Sequence, residues 1–224
     1  MVELITGLRA EVVRENLERV RTQIAETGRD PESVQVLAAV KYVPVEELGV
    51  LAEAGVTLVG ENRAQDLVAK AEAYPGAFTW DFIGHLQSRK VKQVLPHVRY
   101  VETVASDSAL EQLGRHGSPE TEILVEVNVA GEEGKSGIAP ELLPEFLKRC
   151  PVKVVGLMTM PPLAPDPEAS RPYFSALREL AAEHDVPQLS MGTSQDYVVA
   201  AQEGATIVRL GSTLYRPRGQ SGAS

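Results

Sequence analysis

The chain has 224 residues and a formal net charge of −9, from 22 basic and 31 acidic residues, with 43% apolar residues, the balance of an ordinary soluble globular protein. No basic block stands out, which argues against a nucleic-acid surface, because displacing counterions needs concentrated positive charge. One cysteine, Cys150, excludes an internal disulfide framework. Neither a run of ~20 apolar residues nor a basic-then-apolar leader is present, so a cytoplasmic protein without membrane contact is expected.

Apolar positions Leu4, Leu8, Val12, Leu17, Val20 and Ile24 recur at helical spacing, predicting a helix over 3–27. Past Arg29-Asp30-Pro31, VQVLAAV (34–40) reads as the first strand. TLVGEN (57–62) is strand-like and AQDLVAKAEAY helical; TWDFIGHLQ (79–87) is strand-like and SRKVKQVL helical. RYVETVAS (99–106) is extended and DSALEQLGRHG helical, and EILVEVNVA (122–130) shows the clearest apolar–polar alternation. A helix over 140–149 precedes the strand VKVVGLMTM (152–160), and ASRPYFSALRELAAEHD supplies another helix. PQLSMGTS (187–194), the helix QDYVVAAQEG and a last strand ATIVRLGSTLY (205–215) complete the pattern.

Eight strands separated by helical segments imply parallel pairing through right-handed crossovers, and in this length they fit an α/β fold of the (β/α)₈ barrel type. A doubly wound open sheet is the rival, weakened by the absence of GxGxxG after the first strand. No eighth helix is expected after the last strand, so the N-terminal helix is assigned to cover that part of the barrel. The expected organisation is one barrel domain over 1–216 and a flexible tail over 217–224.

Barrel chemistry gathers at the C-terminal ends of the strands. Those positions carry Lys41, Glu61, Asn62, His85, Gln87, Asn128, Met158, Thr159, Ser190 to Ser194, Arg209, Gly211 and Ser212. Lys41 ends an apolar strand. It either snorkels out or pairs with Glu61, or it is a Schiff-base lysine whose burial lowers its pKa and frees the amine. In LSMGTSQD, the Ser190, Thr193 and Ser194 hydroxyls and the first amides of the next helix suit a phosphate, with capping by Ser194 as the alternative. GST at 211–213 repeats the small-residue pattern after the last strand. Arg209 shares a strand face with Gly211, as a structural ion pair or as a group reaching a cofactor ring. Lysine, arginine and phosphate cradle together suggest pyridoxal 5′-phosphate.

VKYVP with GEN, DFIGHLQSRK, VNVAGEEGKSGI, GLMTM, LSMGTSQD and GATIVRLGSTLY, in that order from Val34 to Tyr215, resemble the pyridoxal phosphate homeostasis protein family, also called the YggS or PROSC family. The resemblance implies a barrel like the N-terminal domain of alanine racemase, with the cofactor held as an aldimine on Lys41. It places Ser190, Gly192, Gly211 and Ser212 in phosphate-binding segments, and Arg209 where the family arginine faces the pyridine nitrogen. Asn62 and His85 match residues near the pocket, and Met158 and Thr193 join the expected cofactor-binding set. Arg63 stands where many relatives have an aromatic residue, and Thr193 where methionine is frequent.

An arginine at the ring nitrogen disfavours protonation there and makes a weaker electron sink. The family further implies a non-enzymatic protein that buffers or delivers the cofactor, with cofactor-dependent apo-enzymes as recipients. Two rivals remain. An amino-acid racemase needs a second acid–base group on the opposite face, and neither Tyr42 nor Tyr215 can be assigned there. A cofactor-free Schiff-base aldolase would hold a substrate phosphate at Ser190–Ser194. GEEGKS lacks the first glycine of a nucleotide P-loop and reads as a mobile basic loop in which Lys135 handles phosphate. The four histidines show no metal-ligand spacing, Cys150 reads as structural, and a monomer is expected.

Overall fold

The computed structural model describes residues 4–217. Eight parallel strands close into a barrel in sequence order: β1 (Gln35–Ala39), β2 (Leu58–Glu61), β3 (Thr79–Phe82), β4 (Tyr100–Val104), β5 (Glu122–Glu126), β6 (Lys153–Met158), β7 (Gln188–Thr193) and β8 (Ile207–Leu210). The ring is sealed by β1 pairing with β8, Gln35 opposite Ile207 and Ala38 opposite Leu210. The open-sheet alternative is thereby excluded. Around it lie α1 (Ala10–Glu26), α2 (Leu48–Glu53), α3 (Ala64–Ala73), α4 (Val91–Val94), α5 (Asp107–His116), α6 (Leu143–Lys148), α7 (Arg171–Glu183), α8 (Tyr197–Gln202) and α9 (Ser212–Tyr215).

Period-two alternation divides the strands into two faces. Ala38, Val59, Phe82, Val101, Ile123, Leu157, Leu189 and Val208 pack outward with the helices in the main core. Leu37, Leu58 and Ile207 form a separate cluster with Ile83 and Tyr100, and Leu124, Val155 and Met158 form another with Tyr100, both filling the lumen.

The elements are shorter than the sequence reading drew them. The first helix begins at Ala10 rather than residue 3, and Leu4 is exposed. The Ile5 amide instead donates to the Tyr42 carbonyl, holding this segment extended against the chain after β1. The strand read as 79–87 stops at Phe82, so His85 and Gln87 belong to the following loop. The last strand stops at Leu210, and Ser212–Tyr215 is a helical turn rather than strand. One turn therefore does follow β8, and α1 packs on it, with Asn16 Nδ2 donating to the carbonyls of Leu214 and Arg216 at 2.9 Å each. From residue 218 onward, the expected tail lies outside the described residues, as does residue 3. No helix among the described residues is long and apolar enough to cross a membrane.

Candidate functional site

Lys41 continues the lumen-facing phase of Leu37 and Ala39 but sits in a turn, two residues beyond β1. It is exposed, and its Nζ lies 4.5 Å from the centroid of the Tyr42 ring. The expectation of a buried amine is corrected: sheet pairing with β2 ends at Ala39, so the lysine is released at the rim. Nor does it pair with Glu61. That carboxylate faces outward, wholly buried, and binds Lys70 Nζ at 2.5 Å. Lys70 also donates to the Val40 carbonyl at 2.7 Å, and the Tyr215 hydroxyl donates to the Ala39 carbonyl at 3.1 Å. Two buried side chains thus clamp the backbone immediately before Lys41.

Below the rim, the lumen holds a column of charge. Arg209 is buried; Nη1 donates to Ser190 Oγ at 2.6 Å and Nη2 to the Thr159 carbonyl at 2.9 Å. The Ser190 hydroxyl in turn donates a hydrogen bond to Glu102 Oε2 at 2.5 Å, and Arg209 Nη1 lies 4.0 Å from the same oxygen. Glu102 is fully buried, and its Oε1 has no hydrogen-bond partner as a carboxylate. Burial first, and then the negative charge of Asp81, push its pKa from 4.5 up to about 8, against the opposing pull of Arg209 and the Ser190 bond. With the pKa raised in this way, Glu102 holds a proton at neutral pH, and that proton would give the orphaned oxygen a bond to donate toward Asp81. Burial raises the Asp81 pKa as well, and a two-pronged bond to Arg99, at 3.1 and 2.6 Å, pulls it back toward the charged form. Burial alone pushes the Arg209 guanidinium down from its ordinary value, and Glu102, Glu126 and Asp196 pull it back.

At the ends of β7 and β8 two turns are tied together. Ser194 Oγ accepts from the amides of Gly211 at 3.2 Å and Thr213 at 3.3 Å, and Thr213 Oγ1 donates to the Ser194 carbonyl. The helix after β7 is capped at Asp196, not Ser194. The Asp196 carboxylate instead organises the turn, accepting from the Thr193 amide at 2.7 Å, the Thr193 hydroxyl at 3.1 Å and the Ser170 hydroxyl at 2.7 Å. Gly192 has φ +91°, and a Cβ there would lie 2.5 Å from that of Ala200, so no other residue fits without displacement. Among the described residues, the Ser212 amide and hydroxyl and the Ser194 amide take no partner.

The structure therefore brings Lys41, Ser190, Gly192, Thr193, Arg209, Gly211 and Ser212 to one end of the barrel, though not all in one role. Ser190 is turned down to Glu102 and Arg209 rather than toward the turns, and Met158 is buried in the lumen cluster. Asn62 and the exposed His85 line a cavity of about 550 Å³ beside the ends of β2 and β3. The 130–137 loop is folded, with Asn128 Nδ2 on the Glu132 carbonyl and Ser136 on Glu126 Oε2, and Lys135 lines a small cavity with Thr193 and Asp196. Lys135 itself pairs with Glu132 at 3.3 Å. The Cys150 thiol is pushed up to about 11 by burial, which keeps it inert. No group of three metal-binding side chains occurs among the described residues.

Glu102, Asp81, Arg99 and Lys70 were not singled out from sequence. Their signal was present: Asp81 and Glu102 are acids inside strands at lumen-facing positions, where an unpaired charge is costly and implies a partner.

Comparison with known proteins yields a concordant set. The alanine racemase N-terminal domain family matches residues 9–218. A pyridoxal phosphate homeostasis protein from Aquifex aeolicus is 39% identical over 216 residues, covering 90% of this chain and 95% of its own. A protein of unknown function from Bifidobacterium adolescentis superposes with a TM-score of 0.83 at 32% identity, over 96% of this chain and 98% of its own. PipY of Synechococcus elongatus, solved with PLP bound, gives a TM-score of 0.77 at 28% identity, over 91% of this chain and 100% of its own.

Proposed function

Because this chain belongs to the pyridoxal phosphate homeostasis protein family, within the alanine racemase N-terminal domain group, we propose that it binds pyridoxal 5′-phosphate and serves as a reservoir and carrier of it. The observation that carries the reading is the meeting, at one barrel end, of an exposed amine, a buried arginine and two hydrogen-bonded small-residue turns. When bound, the cofactor supplies an aldehyde carbon that condenses with a primary amine, losing water, and a phosphate that requires donors.

The residues fit that group. Lys41 offers its amine at the rim, where an incoming aldehyde reaches it without entering the core, and we assign it the covalent Schiff-base attachment. The Ser212 hydroxyl and amide and the Ser194 amide are donors without partners, suited to phosphate. Gly211 leaves open space above the turn, since a Cβ there would meet nothing closer than 4.0 Å. Gly192 and Thr193 shape the same segment. Asn62 Oδ1 is a buried acceptor lacking a donor, which a polar ring substituent would supply, and His85 stands beside it. Met158 gives the apolar floor. Arg209 at the ring nitrogen would disfavour a proton there.

A carrier is favoured over a racemase by Tyr215. Its hydroxyl is bound to the Ala39 carbonyl, and burial pushes its pKa up, so it serves no acid–base step. The same reading extends to a single barrel domain, cytoplasmic residence, a monomeric state and apo-enzymes as recipients, with Lys135 assisting phosphate transfer.

The test is the absorbance spectrum with pyridoxal phosphate, for the wild type and Lys41→Ala, before and after borohydride. A visible band that borohydride removes, absent in the variant, is expected. No band in the wild type refutes the cofactor reading and favours a cofactor-free aldolase.

A further inference from the structure

The cavity beside Asn62 is lined by cations that the cofactor reading leaves unused. It opens between the first turn of α3 and the loop that runs from the end of β3 to α4, and its volume of about 550 Å³ is in the range of small-ligand sites. None of its lining residues is acidic, although the whole chain carries −9. Arg63, Arg89 and Lys90 line it together with His85. Arg63 has a loose, exposed pairing with Asp66 at 3.7 Å. Arg89 bonds only the neutral Gln87 Oε1 at 3.3 Å, and Lys90 Nζ only the neutral Gln93 Oε1 at 3.3 Å, so both charges lack a counterion among the described residues.

Two further features converge on the same space. Helix α3 has ten residues, and Ala64 and Gln65 of its first turn line the cavity; the Glu61 carboxylate takes the Asn62 and Arg63 amides, while those of Ala64 and Gln65 take no partner among the described residues. Asn62 Oδ1 is buried without a donor, and a cofactor ring substituent would occupy only one of its two lone pairs. A ligand that satisfies both must carry negative charge for the cations and a proton for the amide oxygen. A phosphate monoester does so around pH 6, near its second pKa, where about half of it keeps one proton beside its negative charge. Sulfate offers charge without the proton.

We propose that this cavity is a second anion site, taking a small phosphate monoester noncovalently beside the Lys41 site. Its cations and its helix terminus belong to β2, β3 and the segments after them. The turns after β7 and β8 contribute nothing to it, so it is separate from the segment assigned to the cofactor phosphate. Asn62 and His85 are shared by the two sites, which couples occupancy of one to the shape of the other.

The test uses phenyl phosphate, which has no aldehyde. The protein is first loaded with pyridoxal phosphate and reduced with borohydride, to fill the Lys41 site irreversibly, and phenyl phosphate binding is then followed by calorimetry. One equivalent is expected to bind, more weakly as salt is raised. Arg89→Gln and Lys90→Gln, each confirmed folded by circular dichroism, are each expected to weaken it by about tenfold or more, the loss of one charge-assisted hydrogen bond. Sulfate is expected to bind more weakly than phenyl phosphate. Absence of binding in the reduced wild type, or equal binding in both variants, overturns the site; equal affinity for sulfate overturns the phosphate assignment. If borohydride fixes no cofactor, the carrier reading fails separately, and the same titration on the untreated protein and the two variants still decides this one.

Discussion

Glu102→Gln isolates the lumen acid on which Arg209 and Ser190 converge. In the folded chain the Glu102 pKa is raised to about 8, mainly by burial and then by Asp81, from an ordinary value of 4.5. Below the lower value, folded and unfolded chains both hold the proton. Between the two, the unfolded chain releases it and the folded chain does not, so stability falls as pH rises, by about 1.4 kcal/mol per pH unit for one proton. Over the whole window the loss is at most roughly 5 kcal/mol, since relaxation and water entry reduce it. Glutamine keeps the shape: its oxygen accepts from Ser190 and its NH₂ donates to Asp81, but it does not titrate. The difference between variant and wild type should therefore be small near pH 5 and grow to a few kcal/mol in the variant's favour above about pH 8. Urea unfolding at several pH values, followed by the fluorescence of the single tryptophan, Trp80, which is buried edge-on against Phe78, reads this directly. A variant whose stability falls with pH in parallel with the wild type would show that Glu102 is already ionised and refute the bound proton.

Other outcomes follow from the same geometry. Lys41→Ala should lose the borohydride-reducible band while keeping its unfolding midpoint within about 0.5 kcal/mol of the wild type, because the side chain is exposed. Lys70→Met should destabilise by about 3–5 kcal/mol in urea, because it strands the buried Glu61 carboxylate without its cation. Gly192→Ala should cost more than about 1 kcal/mol, from a positive φ and a Cβ contact of 2.5 Å, and should also weaken cofactor loading through the distorted turn. Lys135→Ala should change the rate at which bound cofactor passes to an apo-enzyme without changing stability; an unaltered rate removes Lys135 from transfer.

Much of the barrel was legible because its causes are local. Alternating apolar strands separated by amphipathic helices admit few parallel topologies, and crossover handedness reduces these to a barrel or an open sheet. Closure was decided by the pairing of β1 with β8, a contact between the two ends of the pattern that no local window contains. Element ends were misread for a related reason. His85–Gln87 and Ser212–Tyr215 were read as strand, but past the rim no neighbouring strand takes their backbone hydrogen bonds, so one becomes loop and the other a helical turn.

The candidate site divides in the same way. Lysine, arginine and small-residue turns stand at strand ends that the strand pattern itself marks, so the sequence determined which residues reach the active end. Which partners they hold was decided only in three dimensions. Glu61 looked like a partner for Lys41, yet strand alternation points it outward, to Lys70, nine residues along the chain. Ser190 looked like a phosphate ligand, yet its hydroxyl faces Glu102, eighty-eight residues away on β4, three strands round the ring. A buried charge cannot turn to bulk water, so each takes its partner from whatever the closed barrel packs against it: an outer helix for Glu61, the neighbouring strand's start for Asp81 and another strand of the lumen for Glu102. Packing around the ring, rather than sequence distance, makes that choice.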